Sequence, residues 1–209
     1  MSVTEQYLEN EFNKPPLLKR LGLFDWIWAA LVLVGSVVAY NQYSSLMDGY
    51  EVGILFGTAA GLVLFGWAWK PMRSFSLVVA AISLAAIALY GDDLARNETS
   101  FFLKYLVSSQ SAIMWMSALF VMATLAYWFA LASGSEFTGK VGTALTWSAA
   151  TMGSVGLMVR WRESYLISHD VGHIPVSNLY EVFILFAVAM PMGLIPFGTL
   201  IMTPFFGFL

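Results

Sequence analysis

Residues 160–183 read RWRESYLISHDVGHIPVSNLYEVF, a densely polar stretch in the interior of a strongly apolar chain. This stretch contains both histidines of the sequence, His169 and His173. Apolar runs lie on either side of it, at about 141–159 and from about residue 179 onward. Polar residues held between two such runs predict a helical membrane protein whose chemistry lies in this connection.

The composition supports a membrane location. The 209 residues are 59% hydrophobic and 11% charged, and the mean hydropathy is +0.73. Soluble proteins carry roughly 25% charged residues, so these values favour an integral membrane protein. The net charge of −3, without a basic cluster, argues against nucleic-acid binding. The lack of cysteine excludes disulfides, thiolate metal sites and thiol–disulfide relay chemistry within these residues.

The apolar runs predict an all-α, polytopic bundle of about six transmembrane helices. Each run approaches the ~20 residues that cross ~30 Å of hydrocarbon, and none alternates as a barrel strand would. Residues 1–22 predict a cytoplasmic or interfacial tail, followed by a transmembrane domain at 23–209 with a polar outer loop at 160–178. The predicted spans are about 23–40, 52–69, 72–90, 111–132, 141–159 and 179 onward.

The distribution of Lys and Arg predicts a cytoplasmic N-terminus. With that orientation six bases lie in cytoplasmic segments and four in outer loops, as the positive-inside rule requires. The outer loops are then about 41–51, 91–110 and 160–178. Within the second loop, residues 100–107 predict either a short amphipathic piece along the membrane interface or an ordered cap on the bundle.

Small residues within the spans predict close helix packing. Gly53, Gly57 and Gly61 recur at four-residue spacing, which clears one helix face so that a neighbouring helix can approach it. A cofactor groove along that face is the alternative interpretation. The fifth run carries a second set with the same implication: Gly142, Gly153 and Gly156.

Arg160 and Arg162 directly follow an apolar run, where two bases in an outer loop oppose the orientation rule. Two interpretations stay open: the guanidinium groups contact lipid phosphates, or they bind carboxylates in a forked geometry. The candidate carboxylates are a haem propionate from outside the chain or, within it, Glu163, Asp170 and Glu181.

His169 and His173 are four residues apart, a spacing that places two side chains on one face of a helix. Gly172 and Pro175 argue against a continuous helix there, which weakens a two-histidine metal site. The alternative is a single imidazole that meets a haem iron or hydrogen-bonds a loop carbonyl, and the carbonyl is favoured.

Residues 177–181, Ser-Asn-Leu-Tyr-Glu, are typical of a helix start. Ser177 or Asn178 can cap free backbone N–H groups, and Glu181 in the first turn complements the positive end of the helix dipole. Because no nucleophile–base spacing, phosphate loop or carboxylate pair is visible elsewhere, the residues identify no catalytic group.

These motifs resemble the ResC/CcsA-type cytochrome c biogenesis proteins, named CcsB in some bacteria, the haem-handling half of the system II synthase. The resemblance rests on Arg160 and on Gly172-His-Ile-Pro-Val-Ser-Asn-Leu-Tyr-Glu181 followed by an apolar span. It extends over about residues 20–187, since earlier segments are similar to the N-terminal half of longer members: Leu21-Gly-Leu-Phe-Asp-Trp26, Phe101-Phe-Leu-Lys-Tyr105, Ser108-Ser-Gln-Ser-Ala-Ile-Met-Trp115 and Ala144-Leu-Thr-Trp147.

The resemblance implies a subunit of the bacterial inner-membrane machinery that exports haem and attaches it to apocytochrome c on the periplasmic face. It implies a ResB-type membrane partner, haem b as the group handled, and a place in a holocytochrome c synthase (haem lyase) complex. The residues implied to line or brace an outer haem chamber are Arg160, His173, Asn178, Tyr180 and Glu181.

Two features depart from the family pattern. The Trp-rich haem platform and the haem-ligating histidines of the family lie downstream of Asn-Leu-Tyr-Glu, and the residues to Leu209 do not contain them. We therefore expect the iron ligands outside these residues, through truncation, a frame shift after about residue 187, or a longer parent chain. The rival functions are a scaffold that docks the ResB-type partner without binding haem, and a small transporter broken at Pro191–Pro196.

Overall fold

The computed structural model describes residues 17–44, 47, 49–168 and 172–191. These residues form helices and no strand, which confirms the all-α fold class. The longer helices, named α1 to α6 in chain order, are Leu23–Tyr43, Gly49–Ala68, Pro71–Tyr90, Ser109–Ser133, Glu136–Ile167 and Leu179–Pro191. The shorter elements are a 3-10 turn, a short α-helix and a π-helical segment, at Leu17–Arg20, Arg96–Thr99 and Leu103–Val107.

Within the part of the chain that the structure describes, four helices, α1 to α4, are long and apolar enough to cross a membrane, which indicates a membrane-associated protein. Helix α5 has 32 residues, but its polar side chains keep it outside that set. Helix α6 begins at Leu179, as predicted, and is apolar but shorter than a span over its described length. Pro196 and the remainder of the predicted sixth run lie outside the described residues.

Helix α5 corrects the predicted boundary of the polar loop. The sequence predicted an outer loop at 160–178, whereas the helix continues to Ile167. The physical reason is that Glu163 and Ser164 are buried and make hydrogen bonds within the fold, so their polarity does not mark a solvated loop. The connection to α6 therefore starts at Ser168.

Contacts divide the chain into two packing units, Met1–Ser76 and Leu77–Leu209. In the first unit α1 packs on α2 through Trp28. Its indole Nε1 donates a hydrogen bond to the carbonyl of Leu62 at 3.2 Å. The ring occupies the space beside Gly66, where any side chain would collide with it.

The first unit also holds a buried ion pair. The Asp25 carboxylate pairs with the Arg73 guanidinium and accepts a 2.6 Å hydrogen bond from the backbone N–H of Gly22. Arg73 Nε donates to the Gly66 carbonyl at 2.6 Å, and Trp67 Nε1 donates to the Asp25 carbonyl at 2.9 Å. These contacts connect the beginnings of α1 and α3 with the end of α2.

In the second unit α4 and α5 form a hairpin that turns at Gly134, whose φ of 64° favours glycine. The helices approach closely where α5 carries glycines. A Cβ atom at Gly153 would lie 2.5 Å from both Met116 Sδ of α4 and Val188 Cγ2 of α6. Comparable contacts at Gly142 and Gly156 confirm the close packing predicted for this set.

The glycine set of α2 behaves differently. No atom lies within 4 Å of a Cβ built at Gly53, Gly57 or Gly61, and all three residues are exposed. The prediction that a neighbouring helix approaches this face is wrong for the described chain. The reason is that α2 buries another face, which carries Ala59 and Val63.

Candidate functional site

Glu163 is the buried centre of a polar cluster in the second packing unit. Its Oε1 accepts a 2.6 Å hydrogen bond from the hydroxyl of Tyr90, the last residue of α3, and a 3.0 Å bond from the backbone N–H of Ser109. Its Oε2 accepts a 2.5 Å bond from the Ser109 hydroxyl, and Arg160 Nη1 lies 3.9 Å away. Both oxygens are satisfied, as a buried carboxylate requires.

Local structure explains why these groups meet. Ser109 begins α4, where backbone N–H groups have no partner within the helix and the helix dipole favours a negative charge. Glu163 supplies that charge from α5. Tyr90 is fully buried in an apolar cluster that fixes its ring and aims its hydroxyl at the carboxylate; the other members are Ala86, Leu103, Val107, Val155 and Val159.

A second carboxylate, Glu181 in the first turn of α6, is 0% exposed. Its Oε1 lies 3.7 Å from Arg160 Nε and 3.3 Å from His173 Nε2, and its Oε2 accepts a 3.2 Å bond from the backbone N–H of Ser177. The backbone N–H of Glu181 donates to Asn178 Oδ1 at 2.9 Å. Arg160 therefore lies between the carboxylates of α5 and α6.

The segment before α6 is held against α5 by contacts of Gly172 and His173. The backbone N–H of His173 donates to the Ser164 hydroxyl at 3.3 Å. Gly172 lies so close to the ring of Tyr165 that any side chain at this position would collide with it. The Gly-His-Ile-Pro segment thus places the imidazole of His173 beside Glu181.

The charges in the cluster are unequal. One guanidinium serves two buried carboxylates, which leaves a net charge of −1 when His173 is neutral and of zero when it is protonated. Neutral donors, the hydroxyls of Tyr90 and Ser109, complete the coordination of Glu163. This arrangement can orient a polar group at its edge.

A cleft of about 450 Å³ opens beside Glu163 and exposes part of the cluster. The Arg160 side chain is 36% exposed, so its guanidinium is accessible while it contacts both carboxylates. The cleft is lined by Leu94, Ala95, Asn97, Glu98, Ser108, Ser109, Gln110, Arg160, Glu163 and Ile167. Its wall combines polar side chains with apolar surface, and the polar groups of Arg160 and Glu163 lie at its edge.

No protein-family model, no characterised protein and no solved structure matches this chain. The site must therefore be interpreted from its own chemistry. Among the described residues, no group of three or more His, Asp or Glu side chains is placed to hold a metal ion. The imidazole of His173 faces Glu181, and Arg160 contacts both carboxylates. These side chains therefore do not fit a haem-iron centre. They form a brace, that is, a set of contacts that connects α5 with α6 and the loop before it.

The predicted site residues separate into three groups. Arg160, His173 and Glu181 come together at one carboxylate. Asn178 caps α6, one of the two caps predicted for that helix. Tyr180 is 56% exposed and so is not one of the buried residues of the cluster. His169 and Asp170 lie outside the described residues, so the predicted two-histidine site stays a prediction.

Two of the three predicted internal carboxylates, Glu163 and Glu181, lie beside Arg160, although at ion-pair distances and not in the predicted forked geometry, while Arg162 pairs with Asp92, which was not predicted. Arg160 contacts Glu163 and Glu181, while Arg162 Nη2 lies 2.8 Å from Asp92 Oδ1. Sequence reasoning missed Tyr90 and Ser109, which precede Glu163 by 73 and 54 residues. No local spacing signals such partners. The only local signal of the cluster was the three-residue spacing of Arg160 and Glu163, which allows an ion pair if both residues lie on one helix.

Proposed function

We propose that this chain is a ResC/CcsA-type membrane subunit of the system II machinery for cytochrome c biogenesis. With a ResB-type partner it takes part in haem export and in the attachment of haem to apocytochrome c. The observation that carries the proposal is that Arg160 and His173 both contact the buried carboxylate of Glu181, whose backbone N–H donates to Asn178 Oδ1. These are residues of the motif on which the family resemblance rests.

The proposal includes a topology. The chain crosses the bacterial inner membrane about six times, with its N-terminus in the cytoplasm. The Glu163–Glu181 cluster then faces the periplasm, where cytochrome c receives its haem. Six cytoplasmic bases against four outside support this orientation. Helices α5 and α6 supply the spans beyond the four that α1 to α4 provide.

The role assigned to the cluster is mechanical. Glu163 joins α3, α4 and α5, and Arg160 extends the connection to Glu181 on α6. His173 fastens the loop before α6 to the same carboxylate. In the assembled machine this brace fixes the floor of the chamber that receives haem, while haem itself is cargo whose iron ligands come from outside these residues.

A scaffold that docks the partner without touching haem is the second candidate. It is favoured by the contacts of Arg160 and His173 with Glu181, because these are the two side chains that would otherwise be available to a haem propionate. On this alternative the cluster only keeps the helices in register for the partner.

The test is complementation in the host with its own copy of this gene deleted. We expect deletion to lower holocytochrome c, measured by haem staining, and the unaltered chain to restore it. Glu181→Ala and His173→Ala should restore it poorly at matched protein levels on immunoblots. Glu136→Ala is the matched control, because that α5 carboxylate is 92% exposed. Normal holocytochrome c in the deletion strain, or full restoration by both site variants, would contradict the proposal.

Haem binding separates the two candidates. The chain is purified with its partner from cells that make haem, and the Soret absorbance is compared with that of the partner alone. If the complex binds more haem than the partner alone and Arg160→Ala abolishes the difference, the haem-chamber role is supported. If the complex binds no more haem than the partner alone, while the unaltered chain still restores holocytochrome c, the scaffold role is supported.

A further inference from the structure

The 101–107 segment lies between the Arg96–Thr99 helix and α4, and it has two unlike sides. Leu103 and Val107 are buried in the apolar cluster beside Tyr90. On the other side Phe101, Phe102 and Tyr105 are all more than half exposed. The segment therefore buries its aliphatic side chains and presents aromatic rings away from the protein.

The exposed rings form one continuous patch. The Phe101 centroid lies 5.8 Å from that of Phe102 and 5.2 Å from that of Tyr105. Lys104 Nζ lies 5.8 Å from the Tyr105 ring centroid, so a cation borders the patch. Trp115 Nε1 donates a 2.8 Å hydrogen bond to the carbonyl of Tyr105, which fixes the patch to the second turn of α4.

The position of the segment in the chain determines what can cover the patch. Helices α3 and α4 are both long and apolar enough to cross a membrane, and the segment belongs to their connection. It must therefore lie near one boundary of the bilayer. Aromatic rings beside a lysine are typical of that depth, where ring edges meet headgroups and the ammonium meets phosphates.

We propose that the 101–107 segment is an in-plane membrane anchor, whose partner is the lipid surface. Phe101, Phe102 and Tyr105 insert at the boundary between headgroups and acyl chains, and Lys104 contacts lipid phosphates. Since Ser108 and Ser109 follow directly, the anchor also sets the depth of the Glu163 cluster at the membrane surface. This inference depends on the membrane location of the chain and not on the role proposed in cytochrome c biogenesis.

The sequence has no cysteine, so single-cysteine labelling is unambiguous. Phe102→Cys and the control Ala95→Cys, an exposed small residue in the preceding polar turn, are labelled with an environment-sensitive fluorophore. Each full-length chain is reconstituted in vesicles of phosphatidylethanolamine and phosphatidylglycerol. Quenching is then measured with aqueous iodide and with a lipid that carries a nitroxide at headgroup depth.

We expect the label at position 102 to shift to the blue and to lose fluorescence to the nitroxide lipid but not to iodide. The label at position 95 should show the reverse. A label at position 102 that iodide quenches as strongly as the control places the patch in water and overturns the anchor. A label that neither quencher reaches is covered by protein, such as a second copy of the chain, and overturns it equally.

Discussion

Each packing unit buries carboxylate groups, one in the first unit and two in the second, and the two units balance this negative charge differently. In the first unit Asp25 has a guanidinium of its own, from Arg73. In the second unit Arg160 lies 3.9 Å from Glu163 and 3.7 Å from Glu181, so one cation serves two anions. Neutral hydroxyls and an imidazole supply the rest.

This difference in charge balance separates a structural ion pair, Asp25–Arg73, from a candidate functional site around Glu163 and Glu181. A one-to-one pair is complete once formed, because each charge has its counter-charge, and here a further donor of the guanidinium meets the carbonyl of Gly66. Two carboxylates that share one guanidinium need further hydrogen-bond donors to stabilise their charge, so the stability of the cluster changes when any of those donors changes. The unequal cluster also borders a cleft, next to Arg160. Function is therefore expected in the second unit.

The largest effect expected from this comparison is that of Glu163→Ala. The substitution leaves Tyr90 and Ser109 without their acceptor and Arg160 with one partner fewer, so we expect a loss of about 3–5 kcal/mol in the free energy of unfolding. Denaturant titration in detergent, followed by tryptophan fluorescence, measures this loss. Glu136→Ala, on the exposed side of the same helix, should change little. Equal losses of unfolding free energy in both variants would contradict the assignment of Glu163 as the centre of the cluster.

Much of the fold follows from the sequence, because apolar runs and helix-start signals are local. The run from about residue 23, the start of α6 at Leu179 and its cap at Asn178 were all predictable from neighbouring residues. The boundary at Ile167 was not, because charged residues resemble a loop until their buried partners are known. The partners lie on other helices, and composition carries no information on which distant hydroxyl meets which carboxylate.

The same limit applies to the glycine sets. Spacing alone predicted close packing for both, yet only the α5 set, which includes Gly153, touches neighbouring side chains. A Cβ atom at Gly53, Gly57 or Gly61 in α2 would have no atom of the described chain within 4 Å. A repeat of small residues shows that a helix can be approached, but the burial of the other faces decides which side is used.

A smaller effect is expected from Gly153→Ala. The added methyl group would lie 2.5 Å from Val188 Cγ2, a β-branched side chain with little freedom to move, so overpacking should cost about 1–3 kcal/mol in the free energy of unfolding. Gly57→Ala is the matched control in open space, where alanine should leave stability unchanged or raise it slightly. The same denaturant titration compares the two. Equal responses would mean that the contacts of α5 with Met116 of α4 and Val188 of α6 can open to admit a methyl group.

The smallest effect expected is that of Arg73→Lys, compared with Arg162→Lys. Each arginine contacts one carboxylate and one backbone carbonyl, but Asp25 is buried while the Asp92 side chain is 99% exposed. Lysine keeps the positive charge and loses the planar fork, so it cannot reach both acceptors of Arg73. We expect Arg73→Lys to lower the unfolding temperature and Arg162→Lys to leave it nearly unchanged, since an exposed pair contributes little. An equal response in both variants would show that charge alone, and not the geometry of the fork, maintains the structural ion pair of the first unit.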